Sequence, residues 1–190
     1  MNYYEVLAAI FGIISVYLSV RQNIWTWPTG IINVALYIIV FFQAKLYADM
    51  GLQVVYVVLS FYGWYQWLYG GRDRTELPVA RMSGRLRLGL SILCLILSAF
   101  LGTVLSRQTD ASLPMLDSTT TVVSLIAQWM MTKKFLESWI VWVGVNVVYV
   151  GMFIYKSLYV TTGLYLIFLV LAVKGYIEWK KSLDAVPAQG

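Results

Sequence analysis

The sequence predicts an all-α integral membrane protein of seven transmembrane helices grouped three, one and three, an expectation resting on three observations. Of the 190 residues, 60% are hydrophobic and 12% charged, and the mean hydropathy is +0.73, far from soluble averages. Apolar stretches of about the ~20 residues that span a bilayer fall near 4–20, 24–44, 47–69, 86–106, 117–133, 137–155 and 158–179. The chain also resembles itself at a fixed offset of 112 residues, which pairs the segment from Ile14 to Trp67 with that from Ile126 to Trp179.

The offset pairs Trp27 with Trp139, Tyr37 with Tyr149, Leu46-Tyr47 with Leu158-Tyr159, Gly51-Leu52 with Gly163-Leu164, Gly63 with Gly175 and Trp67 with Trp179. Valine and leucine align by composition alone in an apolar chain, whereas paired Trp, Tyr and Gly do not. A shift of four spans is even, so both triplets share one orientation and the fourth helix is the inversion linker between parallel repeats. Repeats of this kind are associated with transporters that bind solute near the midplane between them. The expected division is 1–69 for the first repeat, 70–110 for a basic loop and linker helix, 111–181 for the second repeat and 182–190 for a tail.

Each stretch has its own features. The first is expected to be retained, because Met1-Asn2-Tyr3-Tyr4-Glu5 lacks a basic leader and no small-residue cleavage site follows. In the second, Pro28 lies where a missing amide donor is cheap and Gly30 where a side chain would limit approach, a helix start or a hinge. The third aligns Gln53, Tyr56, Ser60, Gly63 and Trp67 on one face by spacings of 3, 4, 3 and 4. Its glycine, like Gly175 in the seventh, is expected to let helices approach closely. The polar run from Gly70 to Pro78 sets the fourth stretch apart. The sixth carries Trp139, Trp142, Asn146, Tyr149 and Phe153 at the same 3, 4, 3, 4 spacing. Trp25, Trp27, Trp64, Trp67 and Trp179 near helix ends read as interfacial anchors, and Lys174 as a base that snorkels to the surface.

Charge orients the chain. Arg21, Arg72, Arg74, Arg81, Arg85, Arg87, Lys133, Lys134, Lys180 and Lys181 fall on one side, against Lys45, Arg107 and Lys156 on the other. The amino terminus is therefore expected outside and the carboxyl terminus in the cytoplasm. The same loop placement accounts for the net charge of +5 without nucleic acid. With no histidine and a single cysteine, Cys94, the chain has little with which to bind zinc or haem or to run Cys-His catalysis, and no cofactor or metal is expected. The acids Glu5, Asp49, Asp73, Glu76, Asp110, Asp117, Glu137, Glu178 and Asp184 lie in loops or near helix ends, so ion coupling through a mid-span carboxylate and acid-base enzymology both lack their residues. There is no Walker-type phosphate loop either, which leaves facilitated diffusion as the simplest mechanism.

The candidate solute contacts follow from polarity in an apolar span. Asn146, mid-span between Trp142 and Tyr149, faces protein, a water-filled cavity or a ligand, because a buried amide is costly unless satisfied. Asn33 falls within one residue of the position equivalent to Asn146, and Gln53, Tyr56 and Thr121 complete the polar candidates.

Trp27-Pro28-Thr29-Gly30, Leu46-Tyr47-Ala48-Asp49-Met50 with Gln53, and Tyr62-Gly63-Trp64-Tyr65-Gln66-Trp67 resemble the first half of the PnuC family of vitamin transporters. Lys133-Lys134-Phe135-Leu136-Glu137-Ser138-Trp139, continuing through Trp142 and Asn146, resembles its second half. The resemblance implies a SWEET-like fold of parallel repeats, a homotrimer in the bacterial inner membrane, and uniport made unidirectional by intracellular phosphorylation of the solute by a cytoplasmic ribosylnicotinamide kinase. The Trp142-x-x-x-Asn146 pattern is similar to the nicotinamide riboside branch, where the amide is expected to read the carboxamide. An Asn amide both donates and accepts, and aromatic faces favour a pyridinium, but thiamine or a related vitamin or nucleoside suits the same groups. A receptor that binds without moving solute stays open at this point.

Overall fold

The computed structural model describes residues 3–43, 47–108, 114–155 and 159–185. Lys45, Leu46, Asp110, Lys156 and Leu158, which entered the arguments on orientation, acids and repeat, lie outside the described residues, as does 186–190 of the tail. Seven α-helices form: α1 (Tyr3–Val20), α2 (Thr26–Gln43), α3 (Tyr47–Tyr69), α4 (Gly84–Gln108), α5 (Pro114–Thr132), α6 (Glu137–Tyr155) and α7 (Tyr159–Asp184). Five of these helices, α1, α2, α4, α6 and α7, contain a stretch long and apolar enough to cross a membrane. The other two are the polar ones: α3 carries Gln53, Ser60, Gln66 and a series of tyrosines, and α5 carries Ser118, Thr119, Thr120, Thr121, Ser124 and Gln128. They pack against each other, and Ser60 of α3 and Ser118, Thr120 and Ser124 of α5 are buried, while Tyr62, Tyr65, Tyr69 and Thr119 are exposed.

Neighbours in sequence pack as α1 on α2, α2 on α3, α5 on α6 and α6 on α7. Two further contacts, α1 with α7 and α3 with α5, join the first three helices to the last three, while α4 packs mainly on α5. The ends of α1 and α5 are built alike. Each closes in a Schellman motif on a residue with positive φ, Gln22 at 53° and Lys134 at 49°. The bonds also correspond: Gln22 N–H donates to Ser19 O and Asn23 N–H to Leu18 O, as Lys134 N–H donates to Met131 O and Phe135 N–H to Met130 O. All of these correspondences fall at the 112-residue offset.

The linker before α4 is not a free loop. A 3₁₀ turn, Arg72–Arg74, leads into an extended strip that lies along the α5–α6 connection. Ala80 N–H donates to Lys134 O at 3.1 Å, Leu136 N–H to Ala80 O at 2.9 Å, and Leu77 N–H to Trp67 O at 3.1 Å. The Glu137 carboxylate accepts from Met82 N–H at 3.0 Å, and Val79 and Met82 are buried. Backbone groups that the sequence left to water are thus satisfied by protein.

Candidate functional site

Four tryptophans assemble at the end of the bundle where α1 meets α2 and α5 meets α6. Trp27, Trp67, Trp139 and Trp179 are at most 3% exposed. Ring centroids lie 5.3 Å apart for Trp27 and Trp67, 5.8 Å for Trp67 and Trp179, and 5.4 Å for Trp139 and Trp179, the first and last pairs edge to face. Gly63 lies under the Trp27 ring and Gly175 under the Trp139 ring, and a Cβ at either would overlap the indole. Interfacial anchoring is therefore overturned for Trp27, Trp67 and Trp179: the helix ends bearing them face one another across the bundle and not lipid. Trp25, 63% exposed, remains free to occupy an interface.

This cluster ties the two halves together. Trp67 Nε1–H donates to Met131 O at 3.1 Å, and Trp179 Nε1–H to Ser19 O at 2.9 Å. Donors and acceptors both correspond at an offset of 112 residues. The Nε1 atoms of Trp27 and Trp139, the other corresponding pair, are buried and have no partner among the described residues. Above the cluster, Lys134 is 5% exposed with its Nζ 4.5 Å from the Trp67 ring centroid. Desolvation lowers its pKa, with the charge of Glu76 acting in the opposite direction.

Deeper along the same helices lies an aromatic and amide region. Asn146 is 5% exposed, and none of the described residues hydrogen-bonds its amide. One turn away, Tyr149 stacks on Phe153 at 5.8 Å, and Tyr165 of α7 lies 4.9 Å from Tyr149 and 5.0 Å from Phe153. Tyr37 stacks on Phe41 in the same manner at 5.7 Å, again at the offset of 112 from Tyr149 and Phe153. Tyr37, Tyr56 and Tyr149 are all electrostatic neighbours of Tyr165. Side chains of α2, α3, α6 and α7 thus converge.

The seven expected contacts are not all disposed alike. Tyr149 packs in this aromatic group, and Tyr56 lies within electrostatic range of it. Trp142, half-buried, packs against the tryptophan core. Asn33 donates its Nδ2 to Ala8 O at 2.6 Å, with Gly12 making room beside it, which gives it an interhelical bond inside the first triplet. Gln53 and Thr121 are half-buried, one turn from Tyr56 and Ser124 respectively. Sequence reasoning missed Tyr165, and a signal for it existed: Tyr165 stands at the offset of 112 from Gln53, which had been singled out. Among the described residues no group of acids, histidines and cysteines is arranged to hold a metal.

Two cavities open elsewhere, and neither is lined by any of the seven. One, of about 420 Å³, lies by Arg21, Gln22, Glu178 and Lys181 at the tryptophan end. The larger, about 560 Å³, is a groove between α4, α5 and α6.

A family model described as nicotinamide mononucleotide transporter matches residues 2–181. The chain belongs to this family. Among its relatives, the nicotinamide riboside transporter PnuC of Escherichia coli (strain K12) is 27% identical over 207 residues, spanning 96% of this chain and 87% of that one. The PnuC transporter of Neisseria mucosa is 29% identical over 186 residues, with 92% and 71% covered. The riboflavin/roseoflavin transporter RibM of Streptomyces davaonensis is 25% identical over 181 residues, with 92% and 83% covered. The crystal structure of the vitamin B3 transporter PnuC superposes with a TM-score of 0.77 at 27% identity, covering 96% of this chain and 82% of that one. The PnuC membership read from the Trp-Pro-Thr-Gly, Leu-Tyr-Ala-Asp-Met and Trp-x-x-x-Asn segments therefore holds, and the chain is a multi-pass membrane transporter, not an enzyme.

Proposed function

We propose that this protein carries nicotinamide riboside across the bacterial cytoplasmic membrane by facilitated diffusion. The observation that carries the reading is Asn146, 5% exposed and with no hydrogen bond from its amide among the described residues, between Trp142 and the Tyr149 stack on α6. An amide in that position offers a donor and an acceptor to a carboxamide, and the surrounding rings offer their faces to a pyridinium cation. The names of the E. coli and N. mucosa relatives point to the same solute. A mononucleotide, the solute in the family description, would bring a phosphate that needs basic partners in a low dielectric, and none of the seven candidate contacts is basic. Gln53, Tyr149, Tyr56, Asn33 and Thr121 are assigned to the remaining polar groups of the solute, with Tyr165 added.

The architecture that goes with this reading is seven spans in two parallel, SWEET-like triplets around α4, a homotrimer, with the amino terminus outside and the tryptophan cluster at the cytoplasmic end. The division 1–69, 70–110, 111–181 and 182–190 follows from it. Supporting the repeat are the corresponding Schellman ends, indole hydrogen bonds and Tyr-Phe stacks, all at one offset. Solute entering the cell is trapped by phosphorylation through a ribosylnicotinamide kinase; none of the seven proposed contacts is a carboxylate that would couple transport to an ion gradient.

Calorimetry on purified protein with nicotinamide riboside, thiamine and riboflavin tests the solute, and counterflow of labelled solute into proteoliposomes tests translocation. Nicotinamide riboside is expected to saturate one site and to exchange at a rate unchanged by ionophores. Heat from thiamine or riboflavin alone would reassign the solute within the family. Binding without counterflow would make the protein a receptor.

A further inference from the structure

One buried hydroxyl of the bundle is left unused by the fold. Ser124 of α5 is 4% exposed, and its Oγ has no hydrogen-bond partner among the described residues. A hydroxyl within a helix has an acceptor close at hand, the carbonyl three or four residues earlier. The other buried hydroxyls of α3 and α5 use it: Ser60 donates to Tyr56 O at 2.8 Å, Ser118 to Met115 O at 3.0 Å, Thr120 to Leu116 O at 2.9 Å and Thr132 to Trp129 O at 2.6 Å. Ser124 instead lies beside the Tyr56 hydroxyl of α3, outside hydrogen-bond geometry. A polar atom kept out of water in this way costs free energy until something supplies its bond.

The first triplet carries no such group at the corresponding place. At the offset of 112 residues, Ser124 corresponds to Gly12, Tyr56 to Phe168 and Asn146 to Val34. A Cβ at Gly12 would come 3.0 Å from Asn33 Nδ2 and 3.4 Å from the Phe168 ring, so that place is filled by an amide already bonded to Ala8 O and by an apolar ring. Hydrogen-bonding capacity without a described protein partner is therefore one-sided, on α5 and α6. We propose that Ser124 is a further solute contact, its Oγ and the Tyr56 hydroxyl together holding one hydroxyl of the sugar. Two hydroxyls that each donate and accept suit a group that does both, and the Asn146 amide is left for the carboxamide. The inference rests on the nicotinamide riboside reading and adds to it a single orientation of the solute, its polar groups toward α3, α5 and α6.

The test is calorimetry on the purified full-length protein with nicotinamide riboside and with deoxy analogues that each lack one hydroxyl of the ribose. The parent is expected to bind one of these analogues about fivefold to tenfold more weakly than the riboside, the factor for one hydrogen bond. Ser124→Ala should weaken the riboside by a similar factor and leave that analogue within about twofold of its affinity for the parent, because the bond is already missing there. Tyr56→Phe should show the same pattern. The melting temperature of Ser124→Ala should stay at the parent value, since no protein bond is lost. Unchanged riboside affinity in Ser124→Ala overturns the proposal, as does an equal loss for the riboside and every analogue. So does a fall in melting temperature with the selectivity among analogues intact, because the Oγ would then serve Tyr56 or a buried water in the folded protein. If thiamine or riboflavin binds and the riboside does not, the solute reading fails separately. Ser124→Ala is then read on that solute, which also carries a hydroxyl, and an unchanged affinity overturns the contact.

Discussion

At the scale of single residues, the strongest contrast is between two asparagines. Asn33 and Asn146 both sit in apolar helices, yet the first bonds Ala8 O and no hydrogen bond of the second falls among the described residues. Removing Asn146 should therefore act on solute and not on fold. Asn146→Ala is expected to weaken nicotinamide riboside binding by about 1–3 kcal/mol, the usual loss for a buried partner, with little change in melting temperature. Unchanged affinity in calorimetry would make the amide structural. Lys134 makes the opposite prediction. Burial lowers its pKa, so the folded protein binds fewer protons than the unfolded chain between that lowered value and the ordinary 10.5. The penalty is full below the lowered pKa and fades as pH rises toward 10.5. The melting temperature of Lys134→Met relative to the parent should accordingly be most favourable at neutral pH and lose that advantage in alkaline buffer.

At the scale of elements, two glycines decide how closely helices pack. Gly63 of α3 and Gly175 of α7 admit the rings of Trp27 and Trp139, so an added methyl has no soft neighbour to displace. Gly63→Ala and Gly175→Ala should each destabilise by about 1–3 kcal/mol, read as a fall in melting temperature in detergent. Gly163, which also belongs to the repeat pairs, meets nothing within 4 Å, and Gly163→Ala should fall within about 0.5 kcal/mol of the parent. A fall at Gly163 equal to that at Gly63 would mean that helix propensity or lipid contact, and not the indole, sets the cost.

For the whole molecule, the cross-connections give the repeat a quantitative test. Trp67 of the first triplet bonds α5, and Trp179 of the second bonds α1, through carbonyls at corresponding positions. If the two halves are repeats joined at this end, Trp67→Phe and Trp179→Phe should cost equally, about 1 kcal/mol each for the lost indole bond before any packing loss. If, on the proposed reading, solute passes at the tryptophan end, opening it would break both bonds, and each variant should then also shift the balance toward the state open at that end. Counterflow measured from the two faces of oriented vesicles would register this as a change in the ratio of apparent affinities. A large effect of one variant alone would argue against equivalent halves.

Much of this was written in the sequence. Composition and stretch length point to long helices because a bilayer demands long apolar segments whose backbone bonds are internal, and five of the seven helices found are long and apolar enough to cross one. The offset of 112 is visible because duplicated contacts retain Trp, Tyr and Gly, which composition does not align by itself. What the sequence could not decide is which side of a helix meets what. Trp27, Trp67 and Trp179 look like interfacial anchors by position, and only the packing of four helix ends turns them inward. The run from Gly70 to Pro78 reads as a polar loop, because most of the groups that dock it and the residues up to Met82 belong to Lys134, Leu136 and Glu137, distant in the chain. Tyr165 was overlooked for a related reason: the rings it packs on, Tyr149 and Phe153, belong to α6, and in the sequence only its place at the offset of 112 from Gln53 hinted at it.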